Sequence, residues 1–176
     1  MSKYFSVWRR LMIPITSAGL VAAVVVYIAS FFGLTIMGLG GWVGLLHGGA
    51  IVFMLPLLAM ERFKTSGTGF MKAYDASLPA WSRWIVRGVP LLAFLQMAFL
   101  FGGAGFVGSP EVRGDQYVLD NHGALTPISY SEYVHVGSIL LRFFASIWIG
   151  FFCFYATYWI FVRRPINSSE VGAGLE

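Results

Sequence analysis

A chain of 176 residues that is 57% hydrophobic and 11% charged lies far from the roughly quarter-charged average of soluble domains. With a mean hydropathy of +0.73 it reads as one membrane domain over 1–176, with no room for a separate soluble one. The charge of +4 and pI near 9.4 do not point to nucleic acid, because the basic residues cluster at the ends of apolar runs, where anionic lipid headgroups attract them.

Lys3, Arg9 and Arg10 precede an apolar run from Leu11 to about Leu39, much longer than the ~7 to 15 residue core of a signal peptide. The run predicts a first span over 11–36, with Pro14 near its start, where a proline costs little. An uncharged turn at Gly38–Gly41 then makes the next span an antiparallel neighbour. That second span, 42–60, carries Gly40, Gly44 and Gly48 at four-residue intervals, a small-residue stripe of the kind that lets another helix approach closely. We read it as a helix-packing seam.

Residues 61–84 combine the polar hinge Thr65–Gly69 with Lys72, Trp81, Arg83 and Trp84, a mixture suited to a cytoplasmic interfacial segment. The hinge lacks the spacing and terminal Lys of a phosphate loop. A third span follows over 85–107, with Gln96 as its only interior amide.

The outer loop, 109–134, predicts a short β-hairpin. Gln116–Leu119 and Ala124–Ile128 flank Asp120-Asn121-His122-Gly123, a turn composition that tolerates positive φ, and Pro127 is confined to an edge. Ser129 and Glu132 form a capping box, so the fourth helix starts near Tyr130, ahead of a span over 135–162. That helix is heavily aromatic, and its aromatics point to both sides. The lone Cys153 lies inside it as a small packing residue. It leaves neither an intrachain disulfide nor a cysteine metal cluster available.

Ten of the twelve Lys and Arg residues fall on one side of these spans. Under the positive-inside rule this orients a four-transmembrane-helix bundle with both termini in the cytoplasm. The fold class is therefore an all-α integral membrane protein with a hairpin-like outer loop.

Ionisable and polar residues inside spans are functional candidates by default; here they are His47, Tyr27, Gln96 and Arg142. At 1.5 Å per residue from the cytoplasmic side, Tyr27 stands ~25 Å and His47 ~21 Å along their helices, which predicts a Tyr27–His47 hydrogen bond. His135 lies ~42 Å up, too far from His47 to share a haem iron. Arg142, ~31 Å above Arg163, reaches the outer interface, where headgroups or a loop carboxylate such as Glu132, Asp115 or Asp120 pair with it. Asp115, Asp120, Asn121, His122, Glu132 and His135 form a candidate outer recognition surface, without the fixed spacing of a metal site.

The residues Gln116-Tyr117-Val118-Leu119, Asn121-His122-Gly123, Ser131-Glu132-Tyr133 and Arg142-Phe143-Phe144 resemble a loop-plus-last-helix pattern of small bacterial inner-membrane proteins. The resemblance implies that location and brings no activity, cofactor or partner with it. No nucleophile–base constellation accompanies it.

The sequence thus predicts a small non-catalytic inner-membrane protein that acts through protein–protein interaction, as an accessory subunit of a membrane complex or an immunity-type binder. Its expected partners are the bilayer and another membrane protein or a second copy of itself, with no cofactor and no metal. A transporter or channel subunit is the alternative, and a haem-bearing redox subunit comes third.

Overall fold

The computed structural model describes residues 2–52, 74–102 and 108–161; it is mostly helical, with one small sheet. Helix α1 (Ser2–Ala29) passes through a 3-10 turn (Ser30–Phe32) to the short α2 (Ile36–Leu39) and then α3 (Trp42–Val52). Helix α4 (Ala80–Gly102) leads to strands β1 (Ser109–Arg113), β2 (Gln116–Asn121) and β3 (Ala124–Ile128), and the chain continues into α5 (Tyr130–Phe161).

Two helical stretches among the described residues are long and apolar enough to cross a membrane: Ser6–Phe32 and Tyr130–Phe161, with Trp42–Val52 apolar but shorter. The expected four-span bundle is therefore met in part. Helix α3 is the described portion of the second expected span, whose remainder lies outside the described residues together with the hinge at 65–69. Helix α4 follows the third expected span up to Gly102.

Several boundaries differ from the sequence reading. The first span does not run unbroken to residue 36, because Gly33 turns left-handed at φ 89° and Thr35 starts α2 by accepting from the Gly38 amide at 3.2 Å. Helix α1 also begins well before Leu11, so Pro14 lies in its interior. A proline there leaves the Arg10 carbonyl without its i+4 amide. Residues 80–84 are not a separate interfacial piece. The helix breaks at Leu78–Pro79, and Trp81, Arg83 and Trp84 form the first turns of α4, where Ser82 Oγ donates to the Pro79 carbonyl at 2.9 Å.

Helix α5 is the hub. It packs along α1 and α4, touches α2 and α3, and supports the sheet. Trp148, Phe152, Tyr155, Tyr158 and Trp159 are all buried on it. Its aromatics do fall on more than one side, as expected: Phe151 is exposed while those five rings are buried, and α1 and α4 both pack along the helix. Cys153 is buried as expected. A Cβ built on Gly19 of α1 would overlap the Phe152 ring, so that ring lies directly on the α1 backbone at this glycine.

The outer loop holds three strands in the order β1-β2-β3, all antiparallel, one more than the expected hairpin. Both edge strands carry a proline: Pro110 pairs with Leu119 and Pro127 with Val118. A proline cannot donate into the ladder, so each occupies a position whose amide would point outward, which blunts both edges against further strand addition.

Candidate functional site

Of the four intramembrane polar candidates, Tyr27 and Gln96 meet each other, whereas His47 and Arg142 bond to other residues. His47 does not meet Tyr27. Instead Trp148 Nε1 donates to His47 Nδ1 at 3.1 Å, and the imidazole stands edge-on to the Trp148 and Phe144 rings. A neutral imidazole that accepts at Nδ1 carries its proton on Nε2. Tyr155, two turns further along α5, donates to the Ala50 carbonyl at 3.1 Å, so α5 grips α3 through two aromatic donors. Tyr27 in turn accepts from Gln96 Nε2 at 2.8 Å, tying α1 to α4. Gln96 Oε1 is buried with no hydrogen-bond partner among the described residues.

Arg142 does not pair with a loop carboxylate. Its guanidinium lies over the Phe31 ring, 4.6 Å from the centroid, and its Nε and Nη2 reach the Ser138 carbonyl and hydroxyl at 3.3 Å each. Of the acids expected nearby, Asp120 and Glu132 are engaged elsewhere and Asp115 lies in the β1–β2 turn. Arg113 takes Glu111 at 3.1 Å and Asp120 at 2.8 Å, and Glu132 serves the helix cap.

That cap is built as the sequence predicts. Glu132 accepts from the Ser129 amide and hydroxyl at 2.8 Å each, and the Glu132 amide donates back to Ser129 Oγ at 3.2 Å. These hydrogen bonds, the backbone one foremost, hold the Glu132 carboxyl below its ordinary range. Tyr117 of β2 packs against Tyr130 and Tyr133 of α5, with ring centroids 5.2 and 4.9 Å apart, which fixes the sheet to the helix head.

In the β2–β3 turn His122 and Gly123 both have positive φ, 52° and 95°, the signature of a type I′ hairpin. Asp120 Oδ1 accepts the Gly123 amide at 2.6 Å. Glu111, Asp120, Asn121 and His122 line one shallow polar concavity. Asp115 lies in the β1–β2 turn and His135 is exposed on α5, so the six outer-loop candidates do not converge on one point. Among the described residues no group of three or more His, Cys, Asp or Glu is placed to hold a metal ion.

Gly40, Gly44 and Gly48 were expected to pack against another helix; among the described residues a Cβ on any of them meets nothing within 4 Å. The close approaches within the chain fall on glycines the sequence reading did not single out. A Cβ on Gly137 would stand 3.1 Å from Thr35 Cβ and 3.9 Å from Pro110 Cγ, so the α1–α2 turn and the sheet meet on one helix position. Only four-residue spacing drew attention to the first three glycines; Gly19 and Gly137 stand singly and give no such signal. Beside the stripe, Gly19, Val26, Leu39, Trp42, Leu45 and Phe152 help line an apolar groove between α1 and α3.

The two ends of the molecule carry opposite charge. At one end Arg9 donates to the Trp159 and Ile160 carbonyls at 2.7 and 2.9 Å, closing the end of α5 with a cation where the helix dipole is negative. Arg87 binds Asp75 at 2.8 Å. Tyr74 pairs with Thr157 at 2.6 Å, and burial pushes its hydroxyl up to about 12. At the other end stand Glu111, Asp115, Asp120 and Glu132. Exposed aromatics mark both levels: Trp8, Trp81 and Trp84 near the basic end, Phe31, Phe32 and Trp42 near the sheet. Trp8 and Phe31 are ~34 Å apart along α1 at 1.5 Å per residue. No family model, curated protein or solved structure matches this chain.

Proposed function

We propose that the protein is a four-span bacterial inner-membrane protein, with both termini cytoplasmic, that works by binding another membrane protein or a second copy of itself. It serves as an accessory subunit or an immunity-type binder. The span assignment is supported by the two long apolar helices, by the separation of basic and acidic ends, and by aromatic levels spaced close to the ~30 Å hydrocarbon thickness.

The observation that carries the interaction is the α3 side of the bundle. Among the described residues nothing packs on Gly40, Gly44 and Gly48, which stand next to the apolar groove between α1 and α3, and Trp42, Leu45, Ile51 and Val52 are exposed around them. In lipid, where burial of apolar surface gives no drive, helices associate by close backbone approach at small residues. A partner helix with its own small or flat face suits this surface.

The test is cross-linking in intact membranes followed by affinity purification of the wild type and of the Gly44→Leu and Gly48→Leu variants. The reading expects a stoichiometric partner whose recovery falls at least about tenfold in the leucine variants, at unchanged yield and melting temperature. A monomeric, partner-free wild type overturns it, as does a partner that both variants retain. Flux through the purified monomer in liposomes would favour the transporter reading instead.

A further inference from the structure

Among the described residues Arg142 is a cation without a carboxylate partner. Of the eight acidic residues, Asp75 binds Arg87, Glu111 and Asp120 bind Arg113, and Glu132 caps α5 through Ser129. Asp115 makes no ion pair among the described residues. Glu61, Glu170 and Glu176 lie outside them, at positions the charge pattern assigns to the opposite side of the membrane. Arg142 itself has one ring beneath it and two long contacts to Ser138. A guanidinium has five N–H donors, so the edge bearing Nη1 still has donors to give. Stacking on Phe31 holds that edge in plane, as bidentate recognition of a phosphate requires.

The surroundings say which anion. Phe31 is 58% exposed and the adjacent Phe32 87% exposed, so the guanidinium opens onto an apolar exterior, not onto the acidic sheet. The level is that of the outer aromatics, ~34 Å along α1 from Trp8, where phospholipid headgroups meet a ~30 Å hydrocarbon layer. We propose that Arg142, stacked on Phe31, binds the phosphate of an outer-leaflet phospholipid, and prefers an anionic lipid because no carboxylate among the described residues offsets its charge. The site rests on the membrane-spanning reading above and is independent of the protein partner.

The test is native mass spectrometry of the full-length, delipidated chain titrated with phosphatidylglycerol and with phosphatidylcholine. The wild type binds phosphatidylglycerol more tightly than phosphatidylcholine, and Arg142→Gln weakens phosphatidylglycerol binding about tenfold. Arg142→Lys and Phe31→Leu, which disturb the stack but keep the charge, fall between. Arg113→Gln, which removes an arginine already paired, changes nothing. Equal affinity in wild type and Arg142→Gln overturns the proposal, and so does displacement of the lipid by free glycerophosphate, which would make this a soluble-phosphate site. A cross-link from Arg142 to an acidic protein, with lipid affinity unchanged by the variants, assigns it to a protein contact and also overturns it. Carbonate extraction of the same membranes separates the two readings: release of the wild-type chain sinks the membrane assignment, whereas retention without lipid selectivity sinks the lipid site alone.

Discussion

Glu132 receives both the amide and the hydroxyl of Ser129, and this makes it the clearest titration probe in the molecule. Its carboxyl lies below the ordinary range in the folded chain, so the cap favours the ionised form. Its contribution is complete above the unfolded carboxyl value of ~4.3 and is lost as pH falls through the lower folded value. We expect a carboxyl NMR titration of Glu132 with a midpoint below that ordinary value. Ser129→Ala should move it only partway back, because the backbone amide, the larger cause, remains; an unmoved midpoint would contradict this. The capping box was legible in the sequence because its partners are three residues apart. The partner of His47 was not. The depth scale that suggested Tyr27 for His47 also puts Trp148 ~22 Å above Arg163, at the same height. Depth along a helix follows from counting, whereas the direction a residue faces around the bundle does not.

At the scale of elements, α5 shows why amphipathic patterning gave little guidance. A helix that packs against both α1 and α4 has no clean polar stripe to read, so the spread of aromatics around it, buried at Trp148 and Tyr155 and exposed at Phe151, did not mark it as the central helix. The contact of Gly19 with Phe152 is the tightest consequence. Gly19→Ala should destabilise the chain by about 1–3 kcal/mol through overpacking, measured by denaturant unfolding in detergent. Phe152→Leu in the same chain should recover part of that loss, and strictly additive effects would argue against a shared contact. The sheet was half legible. The β2–β3 hairpin announced itself through local turn residues, but β1 joins across the Gly114 turn with Pro110 inside it, and a proline within a short run argues against a strand unless the edge position is known.

For the whole molecule, the number of crossings is the decisive quantity, and segment 53–73 separates the possibilities. In a Cys153→Ala background, single cysteines at Leu125 and at Ser66 can be probed in intact cells stripped of their outer membrane, with a maleimide that does not cross the inner one. Four spans expose position 125 and protect position 66. If only α1 and α5 cross, both positions react, and the four-span reading falls. The sequence alone determined the apolar character of the long helices, the segregation of basic from acidic residues, the helix cap and one hairpin, because composition and contacts within a few residues encode them. Only the tertiary structure decided that α5 is the central helix, that Trp148 and Gln96 are the partners of His47 and Tyr27, that Gly19 and Gly137 are closely packed glycines and that Arg142 stacks on Phe31. Those features depend on how helices are rotated about their own axes against neighbours distant in the chain, and counting along a sequence does not give that angle.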